Sequence, residues 1–214
     1  MSATRGLFEP FQDLENLSIP EITDWLTPIP PIINLENHLA NRILYPQTLP
    51  VTKEQLKIDL AILRAILKRM ASSGKASQFL DIKSHKIIIP SELISCIPNL
   101  NQLMWAFVDG LLTQLNKTKG SDALWLIVLS GELNEVMGTL LVPQFEGMGD
   151  LMQLGIQGKI YKVKAGDLTV IPCNTDNCRV IYKISKGSLL GVKESSVDLR
   201  GGKLGIMIDG RINS

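Results

Sequence analysis

The rhythm of apolar and polar positions changes three times along the chain. Between 52 and 71 the apolar residues recur at helical spacing. Leu56, Leu60, Leu63, Leu67 and Met70 make one stripe, and Ile58, Ile62 and Ile66 widen it. Lys53, Lys57, Arg64 and Lys68 fall on a solvated side. Thr52 and Gln55 fit a capping box at the helix start, and Gly74 after Ser72-Ser73 offers a left-handed end. A second helical stripe opens at Pro98-Asn99 and runs through Leu100, Leu103, Met104, Phe107, Val108, Leu111 and Leu115. Around it lie two strand signals. Lys86-Ile87-Ile88-Ile89-Pro90 is a short β-branched run, and Leu124 to Leu129 is apolar without a break, as in a strand buried on both faces. Ser130-Gly131 then leads into a predicted short helix ending near Leu141. Strand, helix, strand, helix predicts a right-handed βαβ unit in a small parallel-sheet α/β domain.

From Gly147 onward the pattern shortens, and glycines punctuate alternating runs. Strands are predicted at Lys159–Val163, Asp167–Pro172, Arg179–Ile184, Val197–Leu199 and Leu204–Ile208. Their spacing suggests a small antiparallel β sandwich or barrel. The N-terminal stretch is different again. Residues 1–50 hold seven of the eleven prolines, each of which fixes its φ and removes a donor. A proline-rich arm is expected there, laid across another surface, with short helices at Pro20–Leu26 and Leu35–Ile43. The predicted organisation is an arm over 1–50, an α/β domain over 51–146 and a β domain over 147–214.

Composition narrows the function more than it names it. The 214 residues carry 22 Lys and Arg against 21 Asp and Glu, a formal charge of +1. That balance disfavours a nucleic-acid binder working through bulk charge. No apolar run approaches the roughly 20 residues of a membrane helix. Glu9, Asp13 and Glu15 stand where a basic-then-apolar leader would be. Three cysteines are too few for a disulfide framework, which points to the cytoplasm.

Candidate chemistry is sparse. Cys173 and Cys178 are the close cysteine pair, but structural zinc needs four ligands, and Cys96, His38 and His85 lie far off in sequence. A hairpin through Asn174-Thr175-Asp176-Asn177 accounts for the pair more simply. Gly201-Gly202 with Gly205 superficially resembles a phosphate loop, yet no helix follows to receive an anion, so a tight turn is expected. Glu132 and Glu135 sit three apart with no third ligand, on what reads as a solvated helix face. No order of residues for nucleophilic, metal or phosphate-loop chemistry is present. Catalytic, cofactor-binding and metal-binding residues are therefore none.

Four colinear stretches carry a family resemblance. They are Leu35-Glu36-Asn37-His38 through Tyr45-Pro46-Gln47-Thr48-Leu49-Pro50 into Gln55-Leu56; Gln102 to Leu112; Leu124 to Leu141, with Val136-Met137-Gly138-Thr139-Leu140; and Val197-Asp198-Leu199-Arg200-Gly201-Gly202 through Ile208-Asp209-Gly210-Arg211. Together they resemble the C-terminal part of the MutL-type accessory proteins encoded beside cobalamin-dependent glutamate mutase, in the actin-like ATPase superfamily. The resemblance implies a second lobe without its N-terminal nucleotide-binding partner. Where such a lobe carries a Gly-Gly pair against adenosine, this chain has Pro90-Ser91-Glu92, which opposes retained nucleotide binding.

The expectation is a non-catalytic accessory or chaperone-like subunit that binds protein. Its partner would be a separately encoded ATPase lobe, a cobalamin-dependent mutase or a larger complex. The alternative is a structural or assembly subunit unrelated to ATPases. The partner-binding candidates are Trp25, Ile29, Ile32 and Tyr45 in the arm, and Arg200, Asp209 and Arg211 in the alternating C-terminal strip.

Overall fold

A computed structural model describes residues 14–72, 84–90, 96–97, 99–115, 123–130, 136–173, 175 and 177–211. The chain divides into two compact units, 1–79 with 90–117, and 80–89 with 118–214.

Unit one is helical. A 3-10 turn, Leu14–Asn16, leads to the short helix α1, Ile19–Thr23. Glu21 folds back to accept bonds from the Ser18 backbone N–H at 2.9 Å and from its hydroxyl at 2.7 Å. Helix α2 spans Ile32–Leu44 and α3 spans Lys53–Ser72. The expected cap of α3 is present, since the Gln55 N–H donates to Thr52 Oγ1 at 3.1 Å. The Gln55 side chain reaches one residue further back than a capping box requires and accepts from the Val51 N–H at 2.9 Å. Helix α4 spans Leu100–Leu115.

The centre of this unit is α3. Ile58, Leu60, Ala61, Ile62, Leu63, Ala65, Ile66, Leu67 and Ala71 are all buried, a wider band than one stripe, whereas Met70 is exposed. Gly110 of α4 lets that helix lie close. A Cβ at this position would stand 2.5 Å from Leu67 Cβ and 3.0 Å from the Arg64 carbonyl oxygen. Beside it Arg64 Nε donates to Asp109 at 2.7 Å. The residues expected to form an extended arm are folded into this unit, with Leu14, Leu17, Ile22, Leu26, Leu35 and Leu39 all buried. The two short helices expected between the prolines are both there.

Unit two is built of strands: β1 Ser84–Pro90, β2 Ala123–Ser130, β3 Val136–Val142, β4 Gln144–Phe145, β5 Asp150–Ile156, β6 Lys159–Lys164, β7 Leu168–Cys173, β8 Cys178–Ile184, β9 Gly187–Ser188, β10 Glu194–Leu199 and β11 Gly202–Asp209. One sheet has the order β1-β2-β3-β11-β7, a second β10-β8-β5-β6, and β4 pairs with β9. A single hydrophobic cluster draws Leu141, Ile171, Ile206 and Ile208 from the first sheet and Leu154, Val163, Val180 and Ile184 from the second. Strand β8 alternates buried and exposed along its whole length, as a sheet with one wet face requires. The β5–β6 hairpin closes on Gln157 and Gly158, both with positive φ, the two-residue turn whose twist suits paired strands.

The parallel βαβ expectation needs correction. The helix predicted to end near Leu141 is strand β3, paired antiparallel to β2 from Ala123↔Val142 to Leu129↔Val136. Gly138 and the β-branched Val136, Thr139 and Val142 all weaken a helix, and hydrogen-bonding partners on both sides settle the strand. The parallel pair lies elsewhere, between β3 and β11, with Gly205↔Gly138 to Ile208↔Leu141 in register. Strand β7 then pairs antiparallel to β11, so the sheet is mixed. The boundary expected at 146–147 runs through this sheet, because β11 and β7 share it with β2 and β3.

The Gly201-Gly202-Gly205 stretch serves this pairing. The β11–β7 register shifts between Gly202 and Ile206. Gly205 has φ +72 there, and a Cβ on it would stand 2.5 Å from the Ile171 carbonyl oxygen. Positive φ and close backbone approach both call for glycine.

Candidate functional site

Unit one holds a cavity of about 670 Å³. Helix α3 supplies one wall with Lys53, Lys57, Leu60 and Arg64, residues spaced by four, three and four and hence on one helix face. Helix α4 supplies Gln102 and Trp105 one turn apart. The segment from Trp25 to Pro30, which leaves α1, closes the third side. Its prolines at 28 and 30 lack backbone donors, so this wall offers an incoming group more apolar surface than hydrogen bonds.

Charge in the cavity is unbalanced. Lys53, Lys57 and Arg64 face a single lining carboxylate, Glu54. Arg64 is held by Asp109 and by its bond to the Leu60 carbonyl oxygen at 3.3 Å. The Arg64 guanidinium carbon lies 6.0 Å from the centre of the Trp25 ring, and Lys68 Nζ lies 5.7 Å from it. Cations at these distances are drawn to the electron-rich ring face. The Trp25 Nε1–H is buried and has no hydrogen-bond acceptor.

A polar cluster ties α2 to α3. Asp59 is fully buried, and its carboxylate accepts from Arg42 Nε at 2.9 Å and Arg42 Nη2 at 2.8 Å. His38 Nε2 lies 2.7 Å from the same carboxylate. The bidentate geometry of the Arg42–Asp59 pair fits a structural clamp.

Of the partner-binding candidates, Trp25 and Ile29 meet at the cavity, Trp25 half-buried and Ile29 exposed. Ile32 is exposed at the first turn of α2, and Tyr45 is exposed just past its last. Arg200 is exposed between β10 and β11, and its carbonyl oxygen accepts from Thr139 Oγ1 at 2.7 Å. Asp209 is fully buried, and its carboxylate takes three bonds from Arg211, at 3.0 Å from the backbone N–H, 3.0 Å from Nε and 2.9 Å from Nη2. The alternating C-terminal strip named for partner binding therefore does not present Asp209 at its surface.

Sequence reading missed the basic wall, because lysines on a helix face read as ordinary solvated positions. Trp105 is half-buried and lines the cavity. The 4-3-4 spacing of Lys53, Lys57, Leu60 and Arg64 was the available signal.

Cys173 and Cys178 are buried free thiols. The connection between them is not a hairpin ladder, since β7 and β8 lie in different sheets. Burial, and then the neighbouring Cys173 thiol, pushes Cys178 up to about 11. Burial also works to raise Cys173, but hydrogen bonds from Cys178 and Thr175 outweigh it and hold that thiol below its usual range. Glu132, Glu135, Ser91 and Glu92 lie outside the described residues, as does Gly74.

Among the described residues no group of three or more His, Cys, Asp or Glu is arranged to hold a metal ion, and no helix is long and apolar enough to cross a membrane. Comparison with protein-family models, curated proteins and solved structures gives no match.

Proposed function

We propose that this chain is a non-catalytic accessory subunit that acts by binding another protein, with the docking surface on unit one. One observation carries the reading. Ile29, Ile32 and Ile33 are each about 60% exposed before and within the first turn of α2, and Leu44 at its last residue and Tyr45, Leu49 and Val51 beyond it are exposed as well. A folded chain leaves large aliphatic side chains clustered in water at a cost, and such patches favour association.

The resemblance to MutL-type accessory proteins nominates a separately encoded ATPase lobe or a cobalamin-dependent mutase as the partner. The antiparallel pairing of β2 with β3 lends that nomination no support, so the protein-binding reading rests on the apolar surface alone. A stacked pair of sheets in unit two fits the sandwich form of the β domain. Three thiols without a disulfide support a reducing compartment such as the cytoplasm.

The test compares the tagged native chain with the Ile32→Asp/Ile33→Asp variant, both purified from the source cell. A defined companion at fixed stoichiometry, lost from the variant while its circular dichroism is unchanged, is the expected result. A chain that stays monomeric and alone, or a companion indifferent to the substitutions, overturns the reading.

A further inference from the structure

We propose that the cavity between Trp25 and Trp105 seats an acidic, apolar segment of the partner polypeptide. This deepens the protein-binding reading and rests on it. Three features of unit one converge on that occupant.

The first is size and lining. About 670 Å³ lies within the range of pockets that enclose a compact ligand or a few side chains. Trp25 and Trp105 line it from two different elements, and their rings suit contact with a large aliphatic or aromatic side chain, because flat rings bury much area at little conformational cost. The second is charge. Lys53 and Lys57 stand one helical turn apart and exposed at the start of α3. Among the described residues no ion pair is formed by either, whereas Arg64 and Lys68 already have Asp109 and Asp24. Glu54 is the one lining carboxylate beside these two ammonium groups and leaves the wall net positive, and the complement of such a wall is a carboxylate-bearing chain. The third is extent. Ile29 belongs to the cavity wall and is exposed, and Ile32 and Ile33 follow it at the start of α2. The apolar strip thus runs out of the cavity along the chain, which a small anion would leave uncovered and an extended peptide would cover.

The test uses the full chain and a display library of random twelve-residue peptides. Selected peptides are expected to pair a large apolar residue with Asp or Glu within a few positions. They should quench or shift the tryptophan emission and weaken with added salt. Lys53→Glu/Lys57→Glu should weaken them about tenfold or more, since two attractions become repulsions. Both lysines are exposed, and unchanged circular dichroism confirms that the variant folds. Trp105→Ala should weaken binding independently of salt. Enrichment of basic peptides, no enrichment at all, or binding indifferent to the lysine reversal overturns the proposal. A native companion that binds the charge-reversed chain unchanged but is lost from Ile32→Asp/Ile33→Asp overturns the cavity assignment alone and leaves the protein-binding reading standing.

Discussion

Asp59 shows how much one side chain can commit a helical unit. Its carboxylate is wholly withdrawn from water and takes two bonds from Arg42, itself buried. Removing one partner of such a pair strands the other charge. Asp59→Ala is therefore expected to cost about 3–5 kcal/mol of stability, read from urea unfolding. Arg42→Met alone should be similarly damaging, and the double variant should recover part of the loss, giving a coupling energy in a double-mutant cycle. Simple additivity of the two losses would show that the pair is not acting as a unit. Nothing in the sequence singled out these residues. His38 read as isolated, and Asp59 interrupts an otherwise apolar stretch. Their meeting depends on how α2 crosses α3, which spacing along one chain segment does not encode.

At the scale of elements, the sharpest fit is between α3 and α4. Alanine normally improves a helix over glycine by about 1 kcal/mol. At position 110 the sign reverses, because the added Cβ would stand 2.5 Å from Leu67 Cβ. Gly110→Ala is expected to destabilise by about 1–3 kcal/mol in urea unfolding. A gain in stability would mean that the two helices do not lie this close. Elements with strong local signals were legible: α3 from its stripe and cap, α4 from its stripe, and β6, β7 and β8 from alternation and turn residues. Four strands were not, the two-residue β4 and β9 and the longer β3 and β5. β5 carries Gly155 and no β-branched residue before Ile156, so it lacked a strand signature. β3 read as helix because Leu140-Leu141 fits either period, and only its neighbours on both sides decide the matter. The cavity was half legible. Trp25 and Ile29 drew attention as apolar residues among prolines, while the lysines looked like any wet helix face.

For the whole molecule, connectivity matters more than any one contact. Strand β11 lies between β3 and β7 and is buried along nearly its whole length, with Leu204, Ile206, Met207 and Ile208 in the core. Deleting residues 202–214 is expected to abolish hydrogen-exchange protection in β3 and β7, measured by mass spectrometry. Native-like protection across 136–142 in the shortened chain would show that the sheet does not depend on this strand. The parallel pairing joins residues about 67 apart in sequence, from Gly138 to Gly205, so its formation closes a long loop.

The same placement bears on how the protein is born. A ribosome delivers β2 and β3 long before it delivers the strand that sits beside them, and the exit tunnel still hides that strand when the rest of the sheet has emerged. During that interval β3 presents an open flank to the cell. Unit two can close only after β11 has emerged to take its place between β3 and β7.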